Sequence, residues 1–223
     1  MRAVLRCQTR MTNSLVRTLE RSLRRCLRER DKAQADLLLT QLQEHAPLSV
    51  ATRGFELEYL TLCERFTEAE PLAEQLLRLH PGSPRIQYLV GKLAYRQRRY
   101  AQAEACFRES HRLHPSWWTL LFLGKSLTQR GEFSEAEAIL TSMVSEYPFA
   151  RTALSWLYER QGQHEQALQV IQAYLHDQPA DEFALKQQQR LLSQSLEPQQ
   201  VVSEVQFLQE MGEQVDENLI PEY

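Results

Sequence analysis

Apolar residues recur at helical spacing along most of this chain, and the same arrangement returns in five successive segments. In each segment an alanine precedes a proline by twelve residues, and in most segments an apolar or bulky residue follows the alanine after four positions. Four positions separate neighbours on one face of an α-helix, and proline cannot continue a helix. Each segment is therefore predicted to be an amphipathic helix that ends before its proline. The alanines are Ala35, Ala69, Ala103, Ala136 and Ala167, and the prolines are Pro47, Pro81, Pro115, Pro148 and Pro179.

A second amphipathic helix is predicted upstream of each segment. It is clearest in IQYLVGKLAYRQ, LLFLGKSLTQ and ALSWLYERQ, each of which leads through a short turn into the next helix. Each unit is thus a helix hairpin, and successive prolines are 34, 34, 33 and 31 residues apart. The distance from turn to proline is the same in the last two units. The shorter last interval is therefore predicted to trim the connection after Pro148 rather than the helices.

The composition agrees with an all-helical chain. Of 223 residues, 43% are apolar and 25% are charged, only seven are glycine, and Val, Ile and Thr are too sparse for a large sheet. Cys7, Cys26, Cys63 and Cys106 form no CxxC pair and have no histidine at zinc-site spacing, so reduced thiols and no metal site are predicted. No phosphate-binding loop, GxSxG or HExxH motif occurs, so neither an enzyme nor a cofactor is predicted.

These repeated segments resemble the tetratricopeptide repeat (TPR) family. The resemblance covers about residues 16–180 and extends over five repeats in register. It is carried by Val90-Gly91 and Leu123-Gly124 in the first helix, the aromatic residue after the turn (Phe66, Tyr100, Phe133), the alanine three positions later and the closing proline. Leu23, Leu57 and Ser155 stand where the family prefers glycine.

The resemblance implies a right-handed α-solenoid of about five TPR hairpins followed by C-terminal capping helices. After a basic arm at residues 1–14, the solenoid is expected over 15–180, with repeats at 16–49, 50–83, 84–116, 117–148 and 149–180. Residues 181–197 are predicted to form a helix that caps the apolar face of the last repeat. Residues 198–223 are predicted to contain an acidic helix, with Val201, Val205 and Leu208 along one side, and a tail.

In the TPR family the first helix of each repeat lines a concave groove, and the resemblance implies the same for this chain. The inward positions of the first repeat hold Arg17, Arg24 and Arg28 beside Glu20, and those of the second hold Gly54 and Glu58. From the third repeat onward the positions are mainly aromatic and basic. The predicted partner-binding residues are Arg85, Tyr88, Lys92, Tyr95, Arg96, Trp118, Leu121, Lys125, Gln129, Trp156 and Arg160.

Such a groove predicts a non-catalytic scaffold or adaptor that binds a peptide or helix of a partner protein. Trp and Tyr provide large contact areas while Arg and Lys bind carboxylates, so the expected ligand is acidic with apolar anchors. The alternative interpretation is that Tyr88 or Trp156 packs between repeats and that the basic side chains are solvated surface.

The adjacent tryptophans of this groove are expected to have different environments. Neighbours on a helix point about 100° apart. Trp117 is therefore predicted to pack against the preceding hairpin, and Trp118 to face the groove.

Two other functions are alternatives. By family analogy, the chain is a dedicated chaperone for a secreted or membrane-complex client protein. An RNA-binding helical repeat is suggested by nine arginines in residues 1–30, but the formal net charge of −3 and the seven acidic residues, without a basic one, in residues 191–223 count against it. The acidic C-terminal segment is also a candidate for self-association through the groove.

The sequence contains no apolar run of the roughly 20 residues needed to cross a bilayer. A cytoplasmic location is predicted. A mitochondrial one is the alternative, because the Arg-rich N-terminus is similar to a transit peptide.

Overall fold

The computed structural model describes the chain from residue 2 to residue 195, with side chains from residue 14 to residue 194. These residues form eleven α-helices and no β-strand, which confirms the predicted all-α class. The predicted helix and tail at 198–223 lie outside the described residues. The helices are α1 (Arg2–Glu29), α2 (Lys32–His45), α3 (Val50–Leu62), α4 (Phe66–Leu79), α5 (Pro84–Arg96), α6 (Tyr100–Leu113), α7 (Trp117–Arg130), α8 (Phe133–Met143), α9 (Ala150–Arg160), α10 (His164–Asp177) and α11 (Glu182–Ser195).

The chain divides within α7, after Ser126, into two compact units. In unit 1 the pairs α1–α2, α3–α4 and α5–α6 pack as hairpins, and α3 also packs against α1 and α5. In unit 2, α9 and α10 form a hairpin, α8 packs against α9, and α11 packs against α10.

The second helices α2, α4, α6, α8 and α10 bury residues at one fixed spacing. The first is the alanine identified from the sequence, and two more follow after four and seven positions. Because a helical turn takes 3.6 residues, the three lie on one face. They are Ala35, Leu39 and Leu42; Ala69, Ala73 and Leu76; Ala103, Phe107 and Ser110; Ala136, Leu140 and Met143; and Ala167, Ile171 and Tyr174.

Gly91 shows how the two helices of a hairpin share the space between them. A methyl group at Gly91 would come within 2.6 Å of the Phe107 ring on α6, closer than carbon atoms can approach. In the preceding hairpin the larger residue is on the other helix, since Leu57 on α3 is fully buried and Ala73 stands where α6 has Phe107. The glycine of the third repeat is thus required by the phenylalanine opposite it.

Each pair of helices is joined by a turn in which one residue adopts the left-handed conformation. The φ values of these residues lie between 59° and 82°. Glycine enters this region at little cost, whereas other residues pay roughly 1–2 kcal/mol. The residues are Arg30, Glu64, Arg98, Gly131 and Gly162.

The interval from Pro148 to Pro179 is the short one, and the prediction that it trims the connection after Pro148 is wrong. Six residues lie between α8 and α9, compared with three between α6 and α7. Only Phe149 separates Pro148 from α9, just as only Ser116 separates Pro115 from α7, whereas α9 has 11 residues and α7 has 14. Beyond Met143 the chain continues in hydrogen-bonded turns, with the Tyr147 N–H donating to the Met143 carbonyl at 2.8 Å. The residues missing from the last interval are therefore taken from the start of α9, after the proline.

The first helix is longer than the repeat requires. α1 runs continuously from Arg2 to Glu29, so most of the residues expected to form a basic arm are helical. From residue 14 onward, where its side chains are described, the first buried residue is Leu19, and Leu19, Leu23 and Cys26 pack with Phe55 of α3 in one apolar cluster.

Candidate functional site

The sequence-predicted groove residues are divided between the two units. Gln129, Trp156 and Arg160 belong to unit 2, where Trp156 is half-buried and Arg160 is exposed. The other eight lie on α5 and α7 in unit 1, which brings most of them together with residues of α3. We call this surface the unit 1 face; it consists of Glu58, Arg85, Tyr88, Lys92, Tyr95, Phe122 and Lys125.

Lys92, on α5, is neutralised within the protein. Its Nζ lies 2.7 Å from Oε1 of Glu58 on α3, and 5.6 Å from the centroid of the Tyr88 ring. Arg96, at the end of α5, likewise forms an ion pair with Glu64 at 2.7 Å. Two of the basic side chains predicted for the groove therefore already have carboxylate partners.

Arg85 reaches from α5 onto α3, where its guanidinium stacks on a buried ring. Its Cζ lies 4.3 Å from the centroid of Phe55, and Arg24 of α1 approaches the same ring at 5.6 Å. Arg85 also lies close to Gly54, where a methyl group would be 3.7 Å from Arg85 Nε, an ordinary van der Waals distance. Burial lowers the pKa of Arg85, and the carboxylate of Glu58 opposes this effect. Arg85 therefore packs against the Phe55 ring in addition to carrying a positive charge at the protein surface.

Four aromatic side chains of α5, α6 and α7 pack into one cluster. Phe122 of α7 is central, with its ring centroid 5.7 Å from Tyr88, 5.9 Å from Tyr95 and 5.6 Å from Phe107. Both tyrosine contacts are edge-to-face, a favourable arrangement for aromatic rings. Burial, together with the Glu58 carboxylate, raises the pKa of Tyr88, so its hydroxyl stays neutral. The cluster fixes the spacing between α5 and α7 and leaves both tyrosines half-buried.

Sequence reasoning missed Phe122 and selected its neighbour Leu121, which is only 5% exposed. A signal was present in the repeat itself. Phe122 stands two residues before Gly124, just as Phe55 stands two residues before Leu57 at the equivalent site. Both phenylalanines receive side chains from a neighbouring first helix.

Lys125, on α7, has an aromatic neighbour but no acidic one. Its Nζ lies 5.7 Å from the centroid of Phe122, and among the described residues no carboxylate forms an ion pair with it. Burial lowers the pKa of Lys125, and no neighbouring charge contributes to this shift. The side chain nevertheless keeps part of its surface accessible. The ammonium therefore lies in a poorly hydrated place from which an incoming anion can still reach it.

The adjacent tryptophans do not have the separate environments that were expected, because they contact each other. The rings of Trp117 and Trp118 stack on each other with centroids 3.6 Å apart and planes 27° apart. Trp118 is 45% exposed and Trp117 is half-buried. Their Cα–Cβ bonds diverge, but the long indole side chains fold back to share one stacked contact at the start of α7.

The sequence matches the model of one known protein family. The tetratricopeptide repeat model matches residues 64–116 and 121–182, more than half of the sequence. The chain belongs to the tetratricopeptide repeat family. TPR proteins generally mediate protein–protein interactions and are typically non-catalytic scaffolds. Comparison with curated proteins gives no match.

Solved structures with the same fold also belong to TPR proteins. A thermophilic TPR protein of Thermus thermophilus superimposes with a TM-score of 0.71 at 17% identity, covering 79% of this chain and 98% of its own. A TPR protein of Parabacteroides merdae gives 0.62 at 13% identity, covering 92% and 82%. YrrB, a TPR protein with an unusual peptide-binding site, gives 0.53 at 16% identity, covering 75% and 89%. At these identities the likeness shows the fold alone. Over the stretch with described coordinates, no helix of this TPR protein is both long and apolar enough to span a membrane.

Proposed function

We propose that this TPR protein is an adaptor or scaffold that binds an acidic segment of another protein on the unit 1 face. The observation that carries the proposal is the Lys125 ammonium, which is desolvated and has no carboxylate partner among the described residues. A charge removed from water is costly unless it is paired. A carboxylate supplied by a partner protein recovers part of that cost, so binding is favoured at this lysine more than at a solvated one.

An apolar anchor is available on the same side of α7. Trp118 precedes Lys125 by seven residues, two helical turns, and is 45% exposed. Seven residues of helix span about 10 Å. An extended peptide covers that distance in about three residues. The ligand proposed is therefore an extended segment in which an aromatic or leucine side chain stands about three residues from an Asp or Glu.

The ion pair between Lys92 and Glu58 limits the number of acidic residues that the ligand needs. Because Lys92 already binds Glu58 at 2.7 Å, it offers little to a second carboxylate. One acidic residue is thus expected to dominate recognition, and a run of acids is expected to add mainly a salt-sensitive attraction.

The proposal is tested with paired fluorescent peptides that differ only by Asp→Asn beside a leucine or tryptophan anchor. Fluorescence anisotropy should show the Asp peptide binding about tenfold more tightly than the Asn peptide. In the Lys125→Met protein the two peptides should bind equally, because the interaction between the two charges has been removed.

Lys32→Met provides the matched control. Lys32 is an exposed lysine at the start of α2, so its loss removes the same charge without touching the unit 1 face. This variant should keep the preference for the Asp peptide. A preference that survives Lys125→Met, or that is lost equally in both variants, would contradict the proposal.

A further inference from the structure

The last described helix, α11, occupies the place of a first helix in unit 2. The side-chain amide of Gln187 donates to the Thr152 carbonyl at 3.1 Å and contacts Ser155 Oγ at 3.2 Å, both on α9. The buried residues of α11 also repeat those of α9 one period of 34 residues later. The pairs are Ala150 and Ala184, Ala153 and Gln187, and Leu157 and Leu191.

One face of α11 is open where the first helices of the repeat are covered. Leu185 and Leu192 are each 42% exposed. In α9 this is the face that meets the second helix, because Ser155 Oγ donates to the Ala167 carbonyl on α10 at 2.8 Å. The residues in earlier first helices that correspond to Leu192 are no more than 6% exposed in four of five cases: Cys26, Leu60, Ala94 and Leu127. Among the described residues, no second helix covers this face of α11.

The sequence after α11 continues the pattern of the second helices. Val205 and Leu208 follow Val201 after four and seven positions, the spacing that all five second helices bury, and Val201 stands 34 residues after Ala167. Each second helix begins three residues before its first buried alanine. The residue three before Val201 is Pro198, and proline is favoured at the first position of a helix. The two residues between Ser195 and Pro198 equal the number between α1 and α2.

We propose that residues 198–212 form a second helix that packs through Val201, Val205 and Leu208 onto the Leu185 and Leu192 face of α11 in the same chain. α11 is then the first helix of a sixth hairpin rather than a cap. As a first helix, α11 presents Phe183, which is 66% exposed, at the position held by Arg85 and Trp118 in earlier repeats.

Hydrogen exchange with mass spectrometry on the full chain tests this packing. The amides of 201–212 and of the end of α11 should be protected, and Val205→Asp should make both exchange about tenfold faster or more, because a charge would enter the apolar contact. The control is Phe207→Asp, which adds the same charge at a place that is exposed in α10, where Ala173 stands. Absence of protection in the unaltered chain, or equal effects of the two substitutions, would overturn the proposal.

A second variant tests the turn. In each of the five described helix pairs a left-handed residue follows the first helix, and the proposed register assigns this position in a sixth pair to Leu196. Leu196→Gly should relieve that strain and slow exchange across 201–212 further. Unchanged or faster exchange would contradict the hairpin register.

The alternative to the intramolecular hairpin is that residues 198–212 of one molecule pack on α11 of a second copy. Light scattering with size-exclusion chromatography should find that the protection does not depend on protein concentration. Protection that appears only in a dimer would show that the face is covered by a second copy and would overturn the intramolecular hairpin.

Discussion

Lys92 and Lys125 stand at the same place in successive repeats, 33 residues apart, yet their surroundings differ in one decisive respect. Each ammonium lies over an aromatic ring of its own helix, at 5.6 Å from the Tyr88 centroid and 5.7 Å from the Phe122 centroid. Lys92 has a carboxylate partner 2.7 Å away in Glu58, whereas none of the described residues supplies one to Lys125.

The repeat itself explains the difference. Glu58, Lys92 and Lys125 occupy one equivalent position on α3, α5 and α7. Side chains one period apart can meet across adjacent first helices, so the single glutamate of this row is taken by the lysine next to it. The following lysine then has another lysine as its neighbour in the row. Because the fold is periodic, equivalent residues of successive repeats lie in a row. The residue at the equivalent position of the neighbouring repeat then decides whether a charged side chain of this row is neutralised within the protein or is available to a partner protein.

Of these substitutions, the removal of the Phe122 ring should change the surroundings of Lys125 and the stability of the fold most. Phe122→Ala deletes the ring below Lys125 and the centre of the contacts with Tyr88, Tyr95 and Phe107, so we expect a loss of about 3 kcal/mol in the free energy of unfolding. Urea unfolding followed by circular dichroism measures it. Phe122→Leu keeps most of the volume and should cost clearly less. A loss below about 1 kcal/mol for Phe122→Ala would show that the cluster does not hold α5 against α7.

Glu58→Gln would remove the carboxylate partner of Lys92 and so make its surroundings similar to those of Lys125. It leaves Lys92 without its partner, and because both side chains are only about a quarter exposed, we expect a destabilisation of about 1 kcal/mol. The freed ammonium should strengthen binding of the Asp peptide roughly two- to fivefold in the anisotropy assay, a gain of under 1 kcal/mol.

Glu64→Gln is the matched control for that substitution. It breaks the more exposed pair with Arg96 at the end of α5, where a small change in stability is expected. Weaker binding of the Asp peptide to Glu58→Gln would mean that Glu58 itself takes part in recognition.

Lys125→Met should reveal the cost of burying this ammonium through the pH dependence of stability. Burial lowers the pKa of Lys125 in the folded state below its ordinary value of 10.5, so below that lowered pKa the ammonium is charged in both states and destabilises the fold. As the pH rises from there towards 10.5, the folded protein releases the proton first and the penalty disappears. Lys125→Met should therefore be more stable than the unaltered chain at pH 7, by under about 1 kcal/mol, and the difference should shrink as pH rises. Thermal unfolding between pH 7 and pH 10 measures the trend; a difference that grows with pH contradicts it.

The helices and their pairing were predictable because the signals are local. A helix is held by hydrogen bonds between residues four apart, so the alanine and proline positions of each segment were enough to place α2, α4, α6, α8 and α10. The helix ends beside Pro148 were not predicted correctly. The interval alone did not say whether helix or connection would lose residues.

The chemistry of the candidate site was less predictable. The family register selected Lys92 and Lys125 as equals. Only the geometry shows that Lys92 pairs with Glu58, whereas Lys125 has no carboxylate partner within the part of the chain that the structure describes. The same register led to Leu121, which is buried, and missed Phe122 beside it. The contact between Trp117 and Trp118 was missed for a related reason, since a helical wheel gives the direction of Cβ but not the rotamers that bring the two rings together.

By itself, then, the sequence determined that the chain is all-α, that it is built of repeated helix hairpins, and which alanine each second helix buries. Tertiary structure alone decided which charges are neutralised, which aromatic rings join α5 to α7, and which leucines of α11 no described second helix covers. The physical reason is distance along the chain. Helix formation depends on residues within one turn, whereas the ion pair of Glu58 and Lys92 and the desolvation of Lys125 depend on side chains a full repeat apart and on how much water remains between them.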